Sequence, residues 1–259
     1  MAEEMARSDE RIDRVNENIE LIQKKGGLTF GTDAYLLAAY MKGGAHKHAV
    51  ELGTGTGIIS LLCAARSRFA RIDAFEVQPD FAELAQRNAR HNGLDDCVRV
   101  HLADVREIGA ETLGKEVDVV FANPPYMRTD SGARNQSDYK YIARHEVCGT
   151  VEDFCAAAYR LLRHGGYFYC VFRPDRLAEL FSAMEKHRLA VKRMTFVHAH
   201  AQAEPSMVLV SAIKGGAQGM QVTAPLMLYC DRDSREMSTH AKQIYETMCF
   251  DCNKMKKET

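Results

Sequence analysis

The stretch Asn123-Pro124-Pro125-Tyr126 concentrates more chemistry than any other part of the chain. It follows Val117–Ala122, an almost unbroken apolar run of the kind that forms a central strand covered on both faces. Two prolines remove two backbone donors and stiffen the segment. That leaves the Asn123 amide and the carbonyl groups as polar partners, while Tyr126 adds a flat apolar face with a polar tip. A cluster of this type presents carbonyl and amide groups and a flat ring to whatever lies beyond the strand end. The alternative is a rigid turn that ends a strand.

A second group of residues lies upstream. Glu51-Leu52-Gly53-Thr54-Gly55-Thr56-Gly57 follows the apolar run Ala49–Leu52 and precedes a helical run from Ile58. Glycine at every second position lets the backbone turn tightly and come close to a ligand. The helix that follows offers free N–H groups at its start. A dinucleotide fingerprint puts its third glycine three places after the second. Those places hold Ile58 and Ser60, so the nicotinamide and flavin reading fails. Two acids follow the next two apolar runs in turn. Glu76 lies 19 residues past Gly57, where a carboxylate accepts ribose hydroxyls. Asp104 is placed to accept an N–H from an adenine amino group. Taken singly, either acid suits a helix cap or a solvated loop. In this order, each after a strand, they point to an adenosine-containing ligand.

These motifs, in sequence, resemble the class I S-adenosylmethionine-dependent methyltransferases that modify planar amino nitrogens, over about residues 20–230. Phe30-Gly31-Thr32-Asp33-Ala34, Ala143-Arg144-His145-Glu146 and Phe196-Val197-His198 add a closer resemblance, to the bacterial family that methylates N6 of adenosine 37 in valine tRNA. The resemblance implies that Thr32 and Asp33 cover the cofactor. It also implies that Glu51, Gly53, Gly55 and Gly57 hold the amino-acid end, Glu76 and Val77 the ribose, and Asp104 and Val105 the adenine. Asn123, which also borders the cofactor, Pro124 and Tyr126 would carry the catalysis, and no metal is expected. The chain departs from the family at Ala199, where members often have proline. The same four-residue motif occurs in families acting on guanine N2 in RNA, DNA adenine or a protein glutamine. An inherited scaffold that binds cofactor or RNA without turnover is a further alternative.

Met127 to Gly149 is long and polar, with Arg128, Arg134, Lys140, Arg144 and His145 among Tyr139 and Tyr141. Basic and aromatic residues together suit RNA phosphates and bases, so these are the expected tRNA contacts, unless the loop is simply solvated. A second basic cluster, Lys186, His187, Arg188, Lys192 and Arg193, reads as a solvated face, and Lys254, Lys256 and Lys257 as a tail.

These residues need strand ends to hold them. Apolar runs at 49–52, 72–75, 98–102, 117–122, 167–172 and 207–213 alternate with helical patterns. The expected fold is therefore α/β: a Rossmann-like, mostly parallel sheet, seven-stranded by the resemblance, with helices on both faces. A helix over 33–42 is expected to be capped by Asp33. A second, starting at Asp80, is expected to have a capping box with Glu83, and a third runs from Thr150 to His164. Residues 1–45 read as a polar, helical lead-in over the cofactor site, 46–230 as the methyltransferase domain and 231–259 as a C-terminal helix and tail. The chain has 259 residues, a net charge of −1 and 46% hydrophobic residues, which excludes wholesale disorder and a uniformly basic surface. No apolar run is long enough to span a membrane, and the N-terminus lacks a signal-like core. A cytoplasmic protein with reduced thiols is the expectation for all eight cysteines, Cys249 and Cys252 included.

Overall fold

The computed structural model describes residues 6–26, 31–125, 149–233 and 236–251. In chain order it begins with β1 (Glu10–Arg14), β2 (Glu20–Lys24) and α1 (Thr32–Tyr40). Next come β3 (Gly44–Leu52), α2 (Ile58–Ala64), β4 (Phe69–Glu76), α3 (Pro79–His91) and β5 (Val98–Leu102). A short α4 (Ala110–Leu113) leads to β6 (Val117–Ala122), α5 (Val151–Leu161) and β7 (Leu162–Phe172). The last elements are α6 (Leu177–Lys186), β8 (Leu189–His198), β9 (Pro205–Lys214), β10 (Gln221–Val222), β11 (Leu226–Met227) and α7 (Thr239–Thr247).

Seven strands form the body of the sheet in the order β5-β4-β3-β6-β7-β9-β8, and the two short strands β10 and β11 extend its β8 edge. From β5 to β7 all neighbours are parallel, and β9 runs antiparallel to both β7 and β8. Val119, Val120, Phe121 and Ala122 are fully buried, as a central strand covered on both sides requires. One face of the sheet packs on α1 and α2, the other on α5 and α6. The order reverses at β3: the chain steps out through β4 and β5, then crosses back to β6 on the other side. Ligands bind above such switch points, beyond the carboxyl ends of the strands.

The lead-in is a β-hairpin, β1 against β2, rather than a helix. Its stability comes from distant partners. Glu10 and Arg87, both buried, form a two-pronged pair at 2.8 and 2.9 Å. Along α3, Asn88 takes both Ile22 N–H (2.7 Å) and Ile22 C=O (3.1 Å). One turn on, Asn92 does the same for Glu20, at 2.9 and 2.7 Å. Alternate strand residues repeat about every 6.7 Å and i,i+4 helix residues about every 6 Å, so two amides on one helix face can serve as the missing neighbour strand.

Three helix ends differ from expectation. Gly31 is the N-cap of α1 and makes no side-chain cap bond, with Asp33 inside the first turn. Gln78 precedes Pro79 at the start of α3, and Glu83 reaches Arg7 instead of closing a capping box. Thr150 and Asp153 do form a capping box on α5, but the helix ends at Leu161 and Arg163 and His164 belong to β7. Cys249 is disulfide-bonded, which corrects the expectation of a free thiol there. Cys63, Cys97, Cys155, Cys170 and Cys230 are free. In the second basic cluster, Lys186 pairs with Glu152, and Arg193 pairs with Asp251 and lies over the Tyr40 ring at 4.4 Å. Among the described residues no helix is long and apolar enough to cross a membrane.

Candidate active site

The ladder registers bring the motif residues to one rim. Leu52 pairs with Ala122 and with Phe75, so Gly53, Asn123 and Glu76 leave the sheet side by side. Glu76 pairs in turn with Leu102, which places Asp104 just beyond. The loop after β3 turns on left-handed glycines: Gly53, Gly55 and Gly57 have φ of 69°, 56° and 86°. Gly53 and Thr54 donate to the Phe75 carbonyl at 2.9 and 3.0 Å, which fastens the loop to β4. A Cβ on Gly57 would lie 3.4 Å from the Ala85 Cβ, an ordinary contact, so that glycine serves the left-handed backbone rather than a close approach to α3. A Cβ on Gly55 would meet nothing within 4 Å. Gly55 therefore faces open space. Asn88, fully buried, also donates to Thr56 C=O at 2.9 Å and so joins the loop to the hairpin.

Four acids border this space, in different states. Glu51 is buried; one carboxylate oxygen accepts from the Thr54 hydroxyl at 2.7 Å and from Ser60 N–H and O–H. Burial outweighs those donors and pushes its carboxyl up to about 7. Glu51 thus shapes the loop from beneath. Glu76 accepts Gly55 N–H on one oxygen (2.9 Å) and Val77 and Gln78 N–H on the other (3.1 and 3.0 Å). Burial also raises its carboxyl, partly offset by these three donors. The Gln78 side chain also lowers it, so protein donors meet most of its roughly four acceptor sites. Asp104 is held by Arg106, whose guanidinium and backbone N–H keep its carboxyl below the usual range. Val105 is buried, and its carbonyl accepts from Arg160. Asp33 accepts from the Asn123 amide. Among the described residues only Asp104 of these four has a basic partner.

Leu102 was not singled out by the sequence. It lies opposite Glu76 in the ladder and is 59% exposed, the most exposed large apolar side chain among the described residues. An apolar surface beside the acids fits a flat ring better than it fits water. Its signal was present, since Leu102 sits two places before Asp104 at the strand end.

Asn123 is half-buried, and its Nδ2 donates to Asp33 Oδ2 at 2.8 Å, across 90 positions of sequence. Pro124 is buried and Pro125 half-buried behind it. Thr32 opens α1 next to Asp33. Tyr126, Arg128, Arg134, Lys140, Arg144 and His145 lie outside the described residues. His198 ends β8, where its Nδ1 meets the Ala203 carbonyl at 2.8 Å; a carbonyl only accepts, so the proton is on Nδ1. Among the described residues no cluster of three His, Cys, Asp or Glu side chains is arranged to hold a metal.

Residues 25–197 match the model of the methyltransferase small domain. The chain belongs to that family. It is 33% identical over 181 residues to the tRNA1(Val) (adenine(37)-N6)-methyltransferase of Phocaeicola vulgatus, covering 70% of this chain and 75% of that one. It is 29% identical over 199 residues to the protein of the same name from Porphyromonas gingivalis, covering 74% and 77%. A crystal structure of a predicted O-methyltransferase from Agrobacterium tumefaciens superposes with a TM-score of 0.68 at 22% identity, covering 84% of this chain and 97% of that one. That likeness shows the fold, which is the Rossmann-like class I methyltransferase fold. The chain is a methyltransferase, with S-adenosylmethionine as its methyl donor. The expected fold and family both hold.

Proposed function

We propose that this methyltransferase transfers the methyl group to the exocyclic N6 of an adenine in tRNA, at position 37 of valine tRNA. One observation in the structure carries the reading. At the switch point, beside an open glycine loop, the Asn123 amide has its nitrogen turned to Asp33, which frees its oxygen to accept from an amino group.

The residues present fit the donor. Its sulfonium and ammonium are cationic, and the rim is acidic. Gly53, Gly55 and Gly57 would let its amino-acid end approach the backbone, with Thr32 covering it. Glu76 and Val77 would take the ribose, and Asp104, Val105 and Leu102 the adenine. The donor, when bound, supplies an electrophilic methyl group on sulfur.

The rest follows from the chain's own side chains. An amine on a purine is a poor nucleophile, because its lone pair is delocalised into the ring. Asn123 Oδ1 and the Pro124 carbonyl accept its two N–H bonds, fix it and localise the lone pair. Tyr126 stacks on the base, which has left its own stack. Holding the reacting atoms about 3 Å apart accounts for much of the acceleration. The proton leaves to water after transfer. Arg128, Arg134, Lys140, Arg144 and His145 contact the RNA backbone.

The test uses tritiated donor with unmodified valine tRNA, adenine-containing DNA and ribosomal protein in parallel, followed by nucleoside analysis. N6-methyladenosine at position 37 supports the proposal. Label in N2-methylguanosine, in DNA or in protein alone overturns it.

A further inference from the structure

Asp33 differs from the other rim acids in what it touches. Glu51 and Glu76 accept from backbone and hydroxyl groups of the donor loop, and Asp104 pairs with Arg106. Asp33 reaches across to the amide on which amine recognition rests.

We infer that Asp33 is a positioning residue for Asn123: it fixes which way the amide faces and strengthens its oxygen as an acceptor. This rests on the methyl-transfer reading above. An ionised carboxylate only accepts hydrogen bonds, so the amide must turn its nitrogen toward Asp33. The amide is planar, so its oxygen is then directed away from Asp33. Without the carboxylate both orientations of the amide become available. The flipped one presents NH2 to an incoming NH2, donor against donor. The bond to a charged acceptor also polarises the amide, and chains of hydrogen bonds strengthen one another by roughly 10–30%.

A second observation places this carboxylate under steric control. A Cβ on Gly31 would lie 2.6 Å from Asp33 Oδ1, so the carboxylate folds back over the Gly31 backbone. Gly31 has φ −111° and ψ −179°, an extended conformation that alanine adopts without strain. Gly31→Ala therefore pushes the carboxylate off Asn123 while keeping its charge and the first turn of α1. The bare Gly31 preceding Asp33 is part of the same device.

The test measures kcat at saturating donor and saturating tRNA, with calorimetry of S-adenosylhomocysteine and melting temperature on the same preparations. Asp33→Ala should lower kcat at saturating donor about 10- to 100-fold, as loss of positioning does, a larger loss than any it causes in product affinity, to which the carboxylate contributes as one of the rim acids. Gly31→Ala should lower kcat in the same direction. Asp33→Asn should fall between, because its amide oxygen still accepts from Asn123 Nδ2. A merely structural role would move melting temperature and product affinity together with kcat. Unchanged kcat in Asp33→Ala, or a loss matched by an equal loss of product affinity, overturns the inference and leaves the methyl-transfer reading standing. A wild-type protein that transfers no methyl group to tRNA overturns both.

Discussion

The open space over Gly55 is where the account is most exposed to a simple substitution. Gly55 has φ 56°, and a Cβ there would meet no protein atom within 4 Å. Gly55→Ala therefore costs backbone strain alone, about 1–2 kcal/mol for a left-handed alanine. At about 2–4 °C per kcal/mol for a chain of this size, the melting temperature should fall by roughly 2–8 °C. Gly26 supplies the control, with φ 77° and equally open surroundings. Gly26→Ala should lose the same stability. The two variants should part in ligand binding. The added methyl at position 55 occupies volume claimed by the donor, so affinity for S-adenosylhomocysteine should fall at least tenfold, about 1.4 kcal/mol. At position 26 it should not change. Calorimetry and thermal melts on three proteins measure all of this. Wild-type affinity in Gly55→Ala, or an equal loss in Gly26→Ala, would refute the placement of the donor over this loop.

Asn88→Ala removes three hydrogen bonds, two buried ones to Ile22 and a partly buried one to Thr56 C=O, and should cost about 2–4 kcal/mol in urea unfolding while weakening product binding through the loop; unchanged stability would contradict the strand-mimic reading. Burial holds Glu51 near 7 against an ordinary 4.5, so the folded state keeps a proton that the unfolded chain has lost. Stability should therefore decline as pH rises from about 4.5 to about 7, and Glu51→Gln should flatten that slope in urea titrations at several pH values. Asp73 shows the opposite sign: burial alone would raise its carboxyl, but donors from His101, His48 and Arg71 hold it far below the usual range. Its contribution should be present above about pH 4 and be lost as pH falls further, and Asp73→Asn should remove that part of the acid sensitivity.

Much of the rim was legible because its signals are local. Apolar runs followed by Gly53, Glu76, Asp104 and Asn123 mark strand ends, and a parallel sheet brings strand ends together whatever their separation in sequence. The hairpin was not legible. Polar residues at 8–25 suggest a solvated helix until Asn88, Asn92 and Arg87 are seen supplying its partners from α3, some 70 residues away. The capping box expected at Asp80 and Glu83 failed for a similar reason, since Arg7 competes for Glu83. Strand β8 was hidden by its mixed face: Lys192 and Arg193 interrupt the alternation because they reach the Ala217 carbonyl and Asp251. The Asp33–Asn123 bond joins two motifs that sequence reading found separately, and only the sheet order shows that they meet.

The central claim is that Asn123 holds the acceptor amine and contributes little to holding the donor. Asn123→Ala measures it directly, by single-turnover methyl transfer to unmodified valine tRNA and by calorimetry of S-adenosylhomocysteine on one preparation. The account predicts transfer lost by about 100-fold or more, as when an interaction made in the transition state is removed, with product affinity close to that of the wild type. Transfer at the wild-type rate, or product binding lost in step with turnover, would contradict it.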